Sequence, residues 1–280
     1  TRQTKEIVLP QTKQFRNLRR GRISARREAL RQQRIRDNLE RQLFRKLNTI
    51  FRRFVTTRGY LLREFGVFDL NTAIQDLNEE FLPVMSQHYR KVFRTIINSA
   101  NEIHDKGTKE EDVFVMGQSI DFERLVTAYY TGRTLILTGV TQRIANRVNK
   151  IITDGRSENL TLDQIARNIA SGVAPIARVR AATIARTETH NAASFANHSY
   201  YETVQDNLGL SMIKRWASTN DGRTRSHHSA ANGQQRPMNE DFIVGGAPMA
   251  YAGDPKGGAR NVINCRCVII YADEQDVVLD

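Results

Sequence analysis

The sequence predicts an α+β protein: a long, mostly helical N-terminal region followed by a small, loop-rich α+β C-terminal domain. Three observations carry this. Apolar residues recur at three and four through most of the first 205 positions, that period stops after Gly209 while Gly and Pro become frequent, and short β-type runs occur only beyond it. The 280 residues exceed one average domain, and the expected divisions are 1–58, a basic arm with an Arg-rich helix, 59–177, a helical region, and 178–280, the α+β domain.

Each element follows from local pattern. Leu39, Leu43, Leu47, Ile50, Phe51 and Phe54 form one helical stripe inside a stretch from Ser24 to about Arg58, and Thr1 to Gly21 before it has no period. Such a helix is roughly 50 Å long at about 1.5 Å per residue, so its Arg-covered first half is expected to project from the body. Leu70, Ile74, Leu77, Phe81, Val84, His88, Val92 and Ile96 mark a second helix, which Pro83 is expected to kink or restart. Phe122, Leu125, Ile136, Val140, Ile144, Val148 and Ile151 mark a third. Thr161-Leu162-Asp163-Gln164 is a capping box opening a short helix that Ser171-Gly172 can close, with another long helix starting near Pro175 and running to about Gln205. The β-type runs are Met212–Ser218, Phe242–Val244 and Val268–Tyr271, and Asn220-Asp221-Gly222 is a turn. Gly245 to Arg260, with five glycines and two prolines, reads as a long loop. Its Met249 and Tyr251 are poorly placed to bury themselves in so small a domain. The loop is therefore expected to supply docking surface, with packing on its own domain the near-equal alternative and Trp216 a core anchor.

Composition excludes several classes. Forty per cent apolar residues can bury a core, and 26% charged residues with 12 Phe and 8 Tyr argue against wholesale disorder. No 18-residue apolar window offers a membrane segment, and Thr1-Arg2-Gln3-Thr4-Lys5 leads into no apolar signal region. The absent initiator Met fits processing or renumbering. Cys265 and Cys267, one residue apart, are too close for an ordinary disulfide, which favours a reducing compartment during synthesis.

The net charge of +12 is concentrated. Residues 1–58 hold 18 Lys+Arg, 15 of them Arg, against 4 acids, a net +14; the other 222 residues hold 24 against 26, a net −2. A basic arm on a near-neutral body suits a polyanion or an acidic protein surface. With few aromatics interleaved and no base-reading motif, Arg16, Arg19, Arg20, Arg22, Arg26, Arg27, Arg31 and Arg34 are expected to contact nucleic-acid phosphates.

The chemistry-bearing residues lie in the last 95 positions. Cys265 and Cys267 face the same side of a regular strand, and with His228, or its neighbour His227, they offer three ligands for zinc. His190, Asp221 or water could be the fourth. The plainer alternative is that the cysteines are small buried apolar residues and His228 bonds a loop carbonyl. Arg186, Glu188, Asp221, Arg223, Arg225 and Arg266 form a second set, read as an ion-pair network pinning the long helix to the β end, or else as an anion-binding or catalytic cluster. His190 and His198, eight residues apart on the same helix, read as helix-surface or interface residues. Gly253 to Gly258 lacks phosphate-loop spacing, Glu188-Thr189-His190 with Cys-x-Cys departs from the zinc-deaminase pattern, and no Gly-x-Ser-x-Gly elbow occurs. A metal-dependent nuclease on His227, His228 and Asn232 stays open, as do a nucleotide-modifying enzyme and a free nucleic-acid-binding protein.

Taken in order, Ala185-Arg186-Thr187-Glu188, Trp216, Asp221-Gly222-Arg223-Thr224-Arg225, His228, Asn232-Gly233, Phe242, Pro248 and Asn264-Cys265-Arg266-Cys267 form a long string. It resembles the C-terminal domain of the Mu F-like minor head proteins, the head morphogenesis family of tailed phages, over residues 178–271. Residues 60–177 are similar only in being helical. The resemblance implies a low-copy, non-enzymatic virion protein in the capsid interior near the portal, reached from the host cytoplasm during assembly. Its implied roles are head assembly and genome packaging and delivery, and its implied partners are the portal protein, the major capsid protein, packaged double-stranded DNA and other copies of itself.

Overall fold

The computed structural model describes residues 25–104, 114–115, 118–119 and 121–273. Four long helices come first: α1 (Ala25–Phe65), α2 (Leu70–His104), α3 (Phe122–Ser157) and α4 (Leu162–Leu208), with a small hairpin of β1 (Phe114–Val115) and β2 (Gln118–Ser119) between α2 and α3. The α+β end follows, with β3 (Met212–Ala217), α5 (Ser226–Ala230), β4 (Gln235–Pro237), β5 (Phe242–Val244), β6 (Ala247–Met249), a 3₁₀ turn (Pro255–Gly257), α6 (Gly258–Val262) and β7 (Val268–Asp273). The fold class is as expected. The divisions at residues 58 and 177 fall inside α1 and α4, which run through them uninterrupted.

α4 is the axis of the helical part and packs against α1, α2 and α3. One core joins the stripes: Leu43, Leu47 and Phe51 of α1, Leu77, Phe81 and Phe93 of α2, Ile144 and Val148 of α3, and Ile165, Ile169 and Ala181 of α4. Phe51 stacks on Phe81 with ring centroids 5.8 Å apart.

Three helix expectations need correction. The first half of α1 does not project: Arg36 and Leu39 are buried, Gln32 Nε2 donates to the Ile269 carbonyl at 3.3 Å, and the Arg36 guanidinium donates to the carbonyls of Cys267 at 3.1 Å and Arg266 at 3.2 Å. Polar donors satisfied by strand carbonyls let an Arg-rich surface dock where counting charges points to solvent. α2 does not restart at Pro83, and α4 runs as one 47-residue helix through Ser171-Gly172 and Pro175. A proline removes one helical hydrogen bond, and packing along the whole helix outweighs that loss. Gly172 serves packing rather than termination, because a Cβ there would lie 3.3 Å from the Ile151 methyl on α3. The capping box at Thr161 and Gln164 is present as expected.

At the α+β end, β3 is the centre of an antiparallel β4-β3-β7 sheet, with Trp216 opposite Ile269 and Lys214 opposite Tyr271 and Arg236. Burial alternates along β3, so Met212, Lys214 and Trp216 face inward. Trp216 meets Phe242 edge-on at 5.5 Å, as befits the expected core anchor. This second core also takes Ile97 from α2 and Tyr200 and Val204 from α4, which joins the sheet to the helices.

The long loop is built rather than open. It contains β6, paired Phe242↔Met249 with β5, then the 3₁₀ turn and the start of α6. Met249, Tyr251, Ala252 and Asp254 are all buried, so its apolar residues serve its own domain, not a docking surface. Backbone hydrogen bonds hold it: the buried Lys214 ammonium donates to the carbonyls of Met238 at 3.0 Å and Ala250 at 2.9 Å, and Asp254 accepts from the amides of Ala250 and Lys256. A buried lysine needs such acceptors, and they fix the loop.

Candidate metal centre

Five consecutive polar residues of α4, Thr187 to Asn191, are buried. Helical residues advance about 100° per position, so five in a row face every direction. The helix is enclosed there, and each side chain meets a different element. The Thr187 hydroxyl accepts from the Asn264 amide at 3.1 Å, Glu188 faces α2 and α3, and Thr189 meets His88 Nε2 at 2.8 Å. His190 turns toward α1 and the cysteines, and Asn191 abuts Gly253.

Glu188 does not pair with the arginines expected. Its carboxylate accepts from Tyr89 Oη at 2.6 Å and from Arg133 through Nε at 3.0 Å and through Nη2. Sequence reasoning missed Arg133, an arginine on the inward face of α3 in register with Val126, Tyr129, Leu137 and Val140, where an apolar residue would fit the stripe. Desolvation raises the Tyr89 phenol, reinforced by Glu188, so the phenol stays a donor.

The rest of that set ties the C-terminal strands to their surroundings. Arg186 pairs with Glu40 of α1 at 3.2 Å and donates to Asn264 Oδ1. Arg266 forms two bonds to Asp221, at 2.5 and 2.6 Å, whose carboxyl is held well below its usual pKa first by that guanidinium and then by the Arg223 amide and Thr224. Arg223 lies 3.8 Å from the same carboxylate, and Arg225 donates to the Ile263 carbonyl at 2.6 Å. His190 and His198 are both buried within the chain, against the expected helix-surface or interface place, and His198 Nδ1 faces Tyr271 Oη at 3.2 Å.

Cys265, Cys267 and His228 converge. α5 carries His228 beneath Trp216, edge-on at 5.7 Å, and the segment entering β7 carries both cysteines inward. His228 Nδ1 lies 3.3 Å from Cys267 Sγ and 3.6 Å from Cys265 Sγ, and the three ligand atoms lie within 4.8 Å of one another, all on buried residues. Among the described residues they are the one His/Cys/Asp/Glu group gathered so closely. A tetrahedral zinc with Zn–S of about 2.3 Å and Zn–N of about 2.1 Å separates N and S by about 3.6 Å, close to the two N–S distances found here.

The electrostatics agree with the shape. Cys265's thiol is pushed well below the ordinary range by a hydrogen bond from Cys267, with His190 and His228 adding to it, while Cys267 is pushed up by the same pairing and by burial. The pair thus favours one thiolate beside one thiol, a charge suited to a cation. Desolvation lowers the pKa of His190, whose Nδ1 faces Arg36 Nη1 at 2.5 Å, and its buried Nε2 has no hydrogen-bond partner. Neither His190 nor Asp221 joins the ligand triangle, and Asp221 is committed to Arg266. A polar cleft of about 260 Å³ reaches Cys265 and is lined also by His190, Thr219, Arg223, Glu40 and Arg36. His227, the alternative third ligand, lies beside Gly245 instead.

Arg16, Arg19, Arg20 and Arg22 lie outside the described residues, as does the side chain of Arg26. Arg27 and Arg34 are exposed on α1, whereas Arg31 is bound to Glu28 at 2.8 Å and to the Ser99 carbonyl at 2.9 Å. No described helix is long and apolar enough to cross a membrane.

A helical body whose last helix is enclosed by a Cys/His-bearing antiparallel end defines the class of protein. Residues 142–270 match the family model for Phage Mu protein F like protein. The match begins inside α3, well before residue 178, so the matched stretch takes in part of the helical body. Over 127 residues, 45% of this chain, it is 33% identical to "NAD(+)--arginine ADP-ribosyltransferase EFV" of Enterococcus faecalis. The matched stretch spans 25% of that relative's length. No solved structure matches the chain.

Proposed function

We propose that the protein is a minor head protein of a tailed phage or phage-derived element that acts in head morphogenesis, with its α+β end stapled by a zinc ion on Cys265, Cys267 and His228. The carrying observation is that the family match over 142–270 contains the whole ligand triangle and the α4 segment enclosed by it. In this reading the protein resides in the virion, near the portal in the capsid interior, and contributes to genome packaging and ejection. The basic N-terminal residues contact packaged DNA through phosphates. Because Arg31 and Arg36 are tied into the fold, that contact falls to Arg16, Arg19, Arg20, Arg22, Arg26, Arg27 and Arg34.

Cys265, Cys267 and His228 would hold a zinc ion with loss of the remaining thiol proton, and it would tie α5 to the segment entering β7. The three side chains leave one position of a tetrahedron unassigned. A hydrolytic reading rests on that open position. The transferase named among the relatives is matched over a quarter of its length, which gives its activity no separate support here.

Two measurements test this. Full-length protein co-expressed with portal and major capsid proteins is expected to co-purify with the ring or shell, and no association with either would sink the assembly role. Removing residues 1–24 is expected to weaken DNA binding and flatten its salt dependence, since neutralising even six phosphates gives a logarithmic slope of about −5. An unchanged slope removes DNA as the arm's partner.

A further inference from the structure

A second concavity lies on a different face of α4 from the cysteines. It is a cleft of about 400 Å³ between α3, α4 and the 3₁₀ turn with α6, and Ile136, Val140, Val179, Ile184, Val262 and Ile263 give it apolar walls. Ile136, Val179 and Ile263 are 48%, 67% and 41% exposed, a grouping that monomer surfaces seldom leave bare. Arg143 and Arg180 stand in the same lining, neither with an ion-pair partner among the described residues. At the floor the Arg133–Glu188 pair is internally neutral, so the cleft's free charge is positive.

An apolar slot between two unpaired arginines calls for a short segment with apolar residues between two carboxylates. The chain itself contains one: Asp276-Val277-Val278-Leu279-Asp280. The N-terminal residues 1–24 offer the opposite charge, seven Lys+Arg against one acid, and would be repelled. The segment cannot reach the cleft of its own chain. Tyr271 of β7 stacks on Tyr201 of α4, so the strand ends alongside the last turns of that helix, whereas the cleft lies along α4 residues 179–188. Thirteen helical residues separate 188 from 201, about 20 Å, and the three residues from 273 to 276, where the segment begins, span at most about 11 Å.

We propose that residues 276–280 of one copy dock in this cleft on a neighbouring copy, so that the C-terminal side of each protomer links it head-to-tail to the next. Such a heterologous contact closes into a ring or stays open according to the rotation between copies. This goes beyond the assembly reading and does not require zinc or DNA.

Sedimentation of the full-length protein over a concentration series tests it, with binding of a labelled peptide of residues 274–280 measured in parallel. Self-association is expected, with the peptide binding and competing. Val179→Asp, at an exposed position that leaves folding intact by circular dichroism, is expected to weaken both at least tenfold. Arg180→Glu and Asp280→Arg should each weaken association, and a mixture of the two variants should restore it. A protein that stays monomeric, self-association indifferent to Val179→Asp, or a cleft that binds a peptide of residues 1–24 better than 274–280 would overturn the proposal. Portal co-purification that survives Val179→Asp leaves the assembly role standing, so the two readings fail separately.

Discussion

Glu188 and His190 stand two positions apart on α4, 4% and 3% exposed, and their surroundings differ in one respect. Around Glu188 the ionised groups have partners: Tyr89 and Arg133 fill the carboxylate, and the charges cancel. Around His190 the set is incomplete, although Arg36 donates to its Nδ1. Its Nε2, the His228 Nε2 and the Trp216 Nε1 are buried without hydrogen-bond partners, and two thiols crowd one imidazole nitrogen. A buried polar cluster that is complete acts as a strut, and one that is incomplete is a place for a ligand.

The largest effect is expected on the complete side. Glu188→Ala leaves the Arg133 guanidinium buried without a countercharge, and urea denaturation should show a loss of about 3–5 kcal/mol. A loss under 1 kcal/mol would mean that water enters and the strut is not one. Replacing both, Glu188→Leu with Arg133→Met, should cost far less than the single change, because the desolvation penalty goes with the charges.

On the incomplete side, elemental analysis of the full-length protein should find about one zinc per chain, lost in Cys265→Ser and in His228→Ala. A chelator should lower the wild-type melting temperature about as far as Cys265→Ser does and leave that variant unchanged. A metal-free wild type, indifferent to chelation, would reduce the cluster to packing.

Gly253 joins the two sides, since its loop rests on Asn191. Its φ is +93°, and a Cβ there would lie 2.5 Å from Asn191 Oδ1. Gly253→Ala should therefore cost roughly 2–4 kcal/mol in the same denaturation, from the clash and the strained φ together. A variant as stable as wild type would show that the loop is not seated on α4.

The smallest effect is a slope. Burial, with Lys46 and Lys91 nearby, lowers the His88 pKa to about 3. Unfolded imidazole titrates near 6.5, so between those values the unfolded chain holds a proton that the folded chain refuses. The stability contribution is complete above pH 6.5 and declines as pH falls toward 3, by up to about 1.4 kcal/mol per unit. His190, also depressed by burial, adds in the same direction. His88→Gln should remove about one proton's worth of this slope between pH 6.5 and 5, and a slope unchanged from wild type would mean that His88 is protonated in the fold.

Much of this was legible in sequence because it is periodic or local. The α1 stripe from Leu39 to Phe54, the capping box at Thr161, and the runs 242–244 and 268–271 need only neighbouring residues to be recognised. The ligand triangle was half legible: Cys-x-Cys places two sulfurs on one side, but only the sheet that folds α5 under Trp216 selects His228 over His227. β4 and β6, three residues each, carry too little pattern to be seen alone.

The sequence by itself determined that the protein is a helical body with an α+β end and that its Cys and His residues could meet, because helical period, turn chemistry and residue type act over a few positions. Only the tertiary structure decided that α1 lies down instead of projecting, that α4 passes Gly172 and Pro175 unbroken, and that Glu188 answers to Arg133. Each depends on a partner tens of residues away, whose burial and hydrogen bonds outweigh a local preference of about 1–3 kcal/mol.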